Sequence, residues 1–220
     1  MLTVTWTTNG WGAPQVSGAS TIAVYPNGTV LAVVDSGTST PSLPRVLRGE
    51  LGDCRLAALI ASADQLTGLD FGEPAITDQG MTSISYRTGE GVESNLSVYA
   101  LGVGDEYVTD DQRSARMKLH GVLAGLRAAG DGAQQEFQPG RMTLRVVNTD
   151  GDNLRRLAWP GALGSLGADG GPECVVIDGD EAAAVRQALG EGPALARWSD
   201  GDRSVVLRAS ILLPGTVGCN

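Results

Sequence analysis

The chain has 220 residues, 42% of them hydrophobic, and a formal net charge of -9. A chain of this length buries well over half of its unfolded surface, so it needs neither metals nor cysteines to fold, and it holds one domain or two small ones. Lys+Arg number 16 against 25 acids with no basic run, which argues against nucleic acid and anionic membranes as principal ligands, and no stretch reaches the ~20 apolar residues of a membrane span.

Residues 2–8 alternate apolar and polar like a strand. The first residues lack the basic segment and apolar core of a signal peptide, so the chain is either cytosolic or has lost a leader. A Gly/Pro/Ser-rich loop over 9–20 follows. The β-branched runs 21–25 and 29–34 flank Pro26-Asn27-Gly28, and Asn-Gly between such runs predicts a hairpin, because both residues tolerate positive φ. A Ser/Thr/Pro loop leads to a predicted helix over 50–66, striped by Leu56, Leu59, Ile60 and Ala63. A second hairpin is predicted from 82–87 and 95–101 around Thr88-Gly89-Glu90-Gly91.

Thr109-Asp110-Asp111-Gln112 has the form of a capping box. It opens a helix to about Ala129, striped by Leu119, Val122, Leu123 and Leu126, with Gly130 placed to end it. Residues 131–140 are polar with Gly and Pro and form the expected boundary. Beyond them come a strand at 142–147, a turn at 150–152 and a Gly-rich loop around Trp159. A short buried strand at 174–177, a helix at 180–189 ended by Gly190, and a hairpin across Asp200-Gly201-Asp202 complete the chain.

The predicted fold class is α+β: antiparallel hairpins packed on two to three helices. The halves share this vocabulary without an in-register repeat. They are expected either as two similar lobes, 1–130 and 141–220 joined by a 131–140 linker, or as one continuous domain.

Each candidate for chemistry meets a plainer reading. The aspartate clusters Asp150/Asp152, Asp178/Asp180 and Asp200/Asp202 suggest calcium loops. An EF-hand frame starting at Asn148 has Asn153 where Gly is needed and Trp159 at the twelfth position, so turns explain the clusters and no metal site is expected. His120 is the sole histidine, at the edge of a helix stripe with no G-x-S-x-G around any serine, and reads as structural. Cys54 sits in the first turn of a helix, where backbone N–H groups lower a thiol's pKa, but His120 is its one conceivable imidazole base.

Glu73 with Asp78, or Asp110 with Asp111, would be the carboxylate pairs of a glycosidase; they read instead as a turn and a helix N-terminus. The glycines of 161–171 fit neither GxGxxG nor a P-loop. No catalytic residue and no cofactor is expected. Trp6 and Trp11, beside the first Gly/Pro loop, are the candidate binding surface, core and lid being the plainer reading. Cys174 and Cys219 either form a bond closing a loop of roughly 45 residues or are buried free thiols.

Several segments carry a resemblance: the run from Ile22 through Val30, Thr77-Asp78-Gln79-Gly80-Met81-Thr82, Val98-Tyr99-Ala100-Leu101-Gly102 and the helix with Ala115-Arg116. Leu157-Ala158-Trp159-Pro160, Cys174-Val175-Val176, Trp198, Leu212-Leu213-Pro214 and a terminal Cys219 continue it. With these the chain resembles a family of uncharacterised secreted proteins and lipoproteins of high-GC actinobacteria. A single lysine, Lys118, among abundant Ala, Gly and Arg fits such a coding bias. The resemblance implies an exported protein, extracellular or in the cell envelope, whose Cys174 and Cys219 pair. It carries no activity and no functional residues. The expectation is therefore a non-enzymatic extracytoplasmic binding or interaction protein whose partner is another protein; the alternative class is a hydrolase with an unrecognised carboxylate or Ser/His site.

Overall fold

Asn27-Gly28 turns the first hairpin as expected. Gly28 has φ +80°, its N–H donates to the Tyr25 carbonyl at 2.9 Å, and the Asn27 side-chain oxygen accepts from the Thr29 N–H at 3.1 Å. The glycine is needed twice over, because an added Cβ would lie 2.5 Å from the Leu51 carbonyl oxygen. The computed structural model describes residues 2–7, 19–34, 42–87, 93–149, 153–160, 166–167, 171–201 and 203–219, with backbone alone for 4–7, 19–20, 87 and 93. The described chain forms two units, Met1–Val34 with Val46–Phe137, and Asp35–Arg45 with Gln138–Asn220.

The first unit is built on a seven-stranded sheet. Its strands are β1 (Leu2–Thr7), β2 (Ala19–Val24), β3 (Thr29–Val34), β4 (Arg45–Glu50), β5 (Met81–Arg87), β6 (Glu93–Tyr99) and β7 (Gln135–Phe137), in the order β6-β5-β1-β2-β3-β4-β7. β1 pairs antiparallel with both β2 and β5. Helices α1 (Asp53–Asp64) and α2 (Asp110–Asp131) pack on each other, and the α2 stripe Leu119, Val122, Leu123 and Leu126 is buried against Ile22, Val24, Ile84 and Val98. Burying each such side chain contributes about 1.5–3 kcal/mol.

The capping box is present: the Thr109 hydroxyl accepts from the Gln112 N–H at 3.3 Å and the Gln112 side chain accepts from the Thr109 N–H at 3.1 Å. Gly130, expected to stop α2, lies inside it instead. There a Cβ would meet Ile22 Cδ1 at 2.6 Å, so the glycine lets helix and sheet approach. β4 and β7 were not expected from the sequence, and β7 falls within the 131–140 stretch read as a linker.

The second unit carries a five-stranded sheet of β8 (Arg141–Val146), β9 (Arg156–Ala158), β10 (Cys174–Asp178), β11 (Leu195–Asp200) and β12 (Arg203–Leu212), in the order β10-β8-β12-β11-β9. The pairs are antiparallel except for β9 with β11. Alternation along these strands puts Met142, Leu144, Ile177, Ala196, Trp198, Leu207 and Ala209 on one face. Ala182, Val185 and Leu189 of α3 (Gly179–Leu189) pack against that face. Trp198 is fully buried and meets Trp159 edge to face, ring centroids 5.2 Å apart. Each half therefore layers antiparallel hairpins on helices, the expected α+β class.

Cys174 and Cys219 form a disulfide, Cα atoms 5.5 Å apart. It pins the last residues across the sheet face opposite α3. There Gly218 packs so closely that a Cβ would lie 2.6 Å from Thr143 Cγ2 and 2.9 Å from Val176 Cγ2. No described helix is long and apolar enough to cross a membrane.

Candidate functional site

The residues that alternate with the core of the second sheet point away from α3, and register fixes which of them are neighbours. Arg156 on β9 lies directly opposite Arg197 on β11. Arg208 on β12 lies between Leu195 on one side and Arg145 of β8 on the other. Since Leu195 and Arg197 share a face, the four arginines form one staggered row across β9, β11, β12 and β8. No register partner of any of them is acidic: they are Arg, Leu, Val and Cys.

Arg145, Arg156 and Arg208 are exposed and Arg197 is half-buried. The guanidinium groups of Arg156, Arg197 and Arg208 make no hydrogen bond or ion pair among the described residues. Like charges directly opposite on neighbouring strands destabilise a sheet, so the Arg156–Arg197 pair is a cost that the fold carries.

The Arg156–Arg197 end opens into a surface cleft of about 470 Å³ lined by these two arginines with Ser199 and Ser204. The two serines face each other across β11 and β12. Ser199 Oγ donates to the Leu157 carbonyl at 3.4 Å; Ser204 is exposed. Two guanidinium groups and the Ser204 hydroxyl thus face a half-open space as donors, while the Ser199 proton is taken by the Leu157 carbonyl. Guanidinium is charged at every physiological pH and offers a planar fork of donors, the geometry that accepts carboxylate or phosphate oxygens two at a time. A second cleft, about 550 Å³, is lined by Arg208 and, more heavily, by apolar groups such as Pro44, Leu154, Pro193 and Ile211.

A fifth arginine shows the contrast with a structural role. Arg116 of α2 is fully buried. Its Nε donates to Asp105 Oδ1 at 2.6 Å, Nη1 to the Phe71 and Gly72 carbonyls at 2.9 and 3.4 Å, and Nη2 to the Tyr99 and Ala100 carbonyls at 2.9 and 2.7 Å. All its donors are used within the fold, so it clamps three loop segments onto α2 and has none left for a ligand.

The residues singled out from sequence do not converge. Trp6 stands on β1 opposite Thr82 in register; its side chain, and all of Trp11, lie outside the described residues. His120 Nε2 is 3.8 Å from Asp105 Oδ2, beside the Arg116 clamp. Cys54 is an exposed free thiol. Asp110 accepts from Arg113 Nη1 at 2.6 Å. Asp78 has φ 60°, the left-handed conformation of a turn residue. Asp70 accepts from the Gln112 side chain and the Gly72 N–H, and these bonds hold its carboxyl below the usual carboxylate range. Of the aspartate clusters, Asp150, Asp152 and Asp202 lie outside the described residues, and no described group of three His, Cys, Asp or Glu is placed to hold a metal.

The arginine row was missed because its signal is not a run. Arg145, Arg156, Arg197 and Arg208 are scattered over more than 60 positions, and only pairing register brings them together. No protein-family model, curated protein or solved structure matches the chain.

Proposed function

We propose that the protein is a non-enzymatic extracytoplasmic binding protein whose ligand is anionic and is held on the arginine face of the second sheet. The observation that carries this reading is the row Arg156, Arg197, Arg208: three guanidinium groups on one face, without partners among the described residues, in a chain of net charge -9. An acidic protein that needed only solubility would leave such charges dispersed or paired. The Cys174–Cys219 disulfide supports an oxidising compartment. So does the resemblance to secreted actinobacterial proteins, which this reading extends with a working surface.

The test exploits the mismatch between net and local charge. At pH 7 and low salt a protein of this net charge should run through a sulfonate cation-exchange matrix. The row should retard the wild type, and the triple variant Arg156→Gln, Arg197→Gln, Arg208→Gln, folded by circular dichroism, should elute in the void. Equal elution of the two proteins would end the proposal. For the compartment, thiol trapping in the producing cells should find one reactive cysteine, Cys54; three reduced cysteines would place the protein in the cytosol.

A further inference from the structure

We infer that the anion held on this face is a linear chain carrying repeated phosphate groups rather than a carboxylate polymer, an inference that rests on the anion-binding reading above. Three observations lead there.

The first is the donor set of the cleft. A carboxylate has two oxygens with about four acceptor sites in one plane, and a single guanidinium fork fills two of them. Here two guanidinium groups, Arg156 and Arg197, are joined by the Ser204 hydroxyl, which faces Ser199, whose own proton goes to the Leu157 carbonyl. Two forks and a hydroxyl are more donors, in more directions, than the about four in-plane acceptor sites of a carboxylate take. An internal phosphate of a chain keeps two non-bridging oxygens, but each accepts from several directions out of any one plane, so the forks of both arginines and the Ser204 hydroxyl can be accepted together.

The second is the repetition. Arg208 adds a third guanidinium on the same face, two residues along from Arg197 on the neighbouring strand. One and a half strand spacings and a two-residue stagger place it on the order of 10 Å from the middle of the Arg156–Arg197 pair. A single phosphate at that pair does not reach it; a chain bearing several does.

The third is what the face lacks. The outward residues of β8, β9, β11 and β12 are Arg, Ser, Thr, Ala, Val and Leu, while both described tryptophans of this unit, Trp159 and Trp198, lie in the core on the other side. Single-stranded nucleic acid is held by stacking its bases on aromatic rings, and this face offers none. The backbone phosphates are the part it suits.

The experiment uses the full chain in physiological salt, with long-chain inorganic polyphosphate, poly-L-glutamate of matched charge, inorganic phosphate and anionic phospholipid vesicles as probes, read by titration calorimetry or fluorescence anisotropy. Polyphosphate should bind at least tenfold more tightly than poly-L-glutamate, and inorganic phosphate should compete only weakly. The double variant Ser199→Ala, Ser204→Ala should lose several-fold in polyphosphate affinity and leave poly-L-glutamate binding unchanged. Each of Arg156→Gln and Arg197→Gln should lower the slope of log affinity against log salt by roughly 0.7–0.9.

Binding of poly-L-glutamate as tight as or tighter than polyphosphate, or serine variants indistinguishable from wild type, would overturn the inference while leaving the anion-binding face intact. Binding confined to vesicles would also overturn it, in favour of a membrane surface. If no anion binds and the arginine variants change nothing, the proposed function fails with it.

Discussion

If the arginine row is kept for a ligand, it should be measurably bad for the fold. Arg156 and Arg197 are the pair to test, because they sit directly opposite in register and the Arg156 side chain is exposed. Two unit charges at the ~4.8 Å strand spacing repel by roughly 0.9 kcal/mol in a water-like dielectric. Screening over a Debye length of ~8 Å at physiological salt brings this to about half, and guanidinium groups that splay apart reduce it further. Favourable cross-strand pairs contribute roughly 0.2–1 kcal/mol, the same order, and like charges directly opposite act in the other direction.

The assay is a double-mutant cycle in urea with wild type, Arg156→Gln, Arg197→Gln and the double variant, each with an unchanged m-value. Each single substitution relieves the same repulsion, so the double variant should gain less than the sum of the two, by roughly 0.3–0.8 kcal/mol at low salt. At ~1 M salt, where the Debye length is ~3 Å, the coupling should vanish. A coupling of zero at low salt, or one of favourable sign, would mean that the two guanidinium groups do not face one another and would remove the basis of the site.

Other consequences of the structure are as open to measurement. Arg116→Met should destabilise the first unit by about 3–5 kcal/mol in a urea melt, because Asp105 and four carbonyls lose their donor; Arg116→Lys should recover little, since an ammonium has three donors and no fork. Replacing Cys174 and Cys219 with serine should lower stability by about 4 kcal/mol for a loop of 45 residues, with thiol titration rising from one reactive group to three when the wild type is reduced and unfolded. Burial pushes the Tyr25 phenol up to about 12. Its folded-state pKa lies above the unfolded value near 10, so its contribution is complete below pH 10 and is lost as pH rises toward 12. The urea midpoint should fall across that window, and Tyr25→Phe should flatten the fall.

What was legible in the sequence was whatever local chemistry dictates. Asn27-Gly28, the Thr109–Gln112 box and the Leu119/Val122/Leu123/Leu126 stripe each specify their own geometry, and all three stand in the structure. The Cys174–Cys219 pairing was open on the residues alone and followed from the resemblance. Gly130 misled because a glycine near a helix end has two uses, a left-handed cap or a close approach, and only the position of Ile22 decides between them. β4 was hidden because Arg45-Val46-Leu47-Arg48-Gly49-Glu50 alternates poorly and owes its place to its neighbours. The candidate site was hidden for a stronger reason. Alternation in β8, β11 and β12 tells which residues share a face within one strand. It is silent on which strand lies beside which, and the row exists only in the order β8-β12-β11-β9.

That order also bears on why global charge was a poor guide. The net charge of -9 argued against anionic partners, yet at distances beyond a Debye length a protein's total charge is screened while contacts within a few ångströms are not. What an approaching anion meets is local. On the face opposite α3, the disulfide-pinned tail lies over Thr143, Val176 and Leu212, taking the apolar part of that face out of water. Arg156, Arg197 and Arg208 are left open. A sheet that needed only a solvated outer face would interleave both signs there, because opposite charges across strands stabilise and like charges do not. Covering the apolar half with the disulfide-pinned tail, while leaving Arg156, Arg197 and Arg208 without counter-charges among the described residues, is the arrangement expected when the missing counter-charge arrives with the ligand.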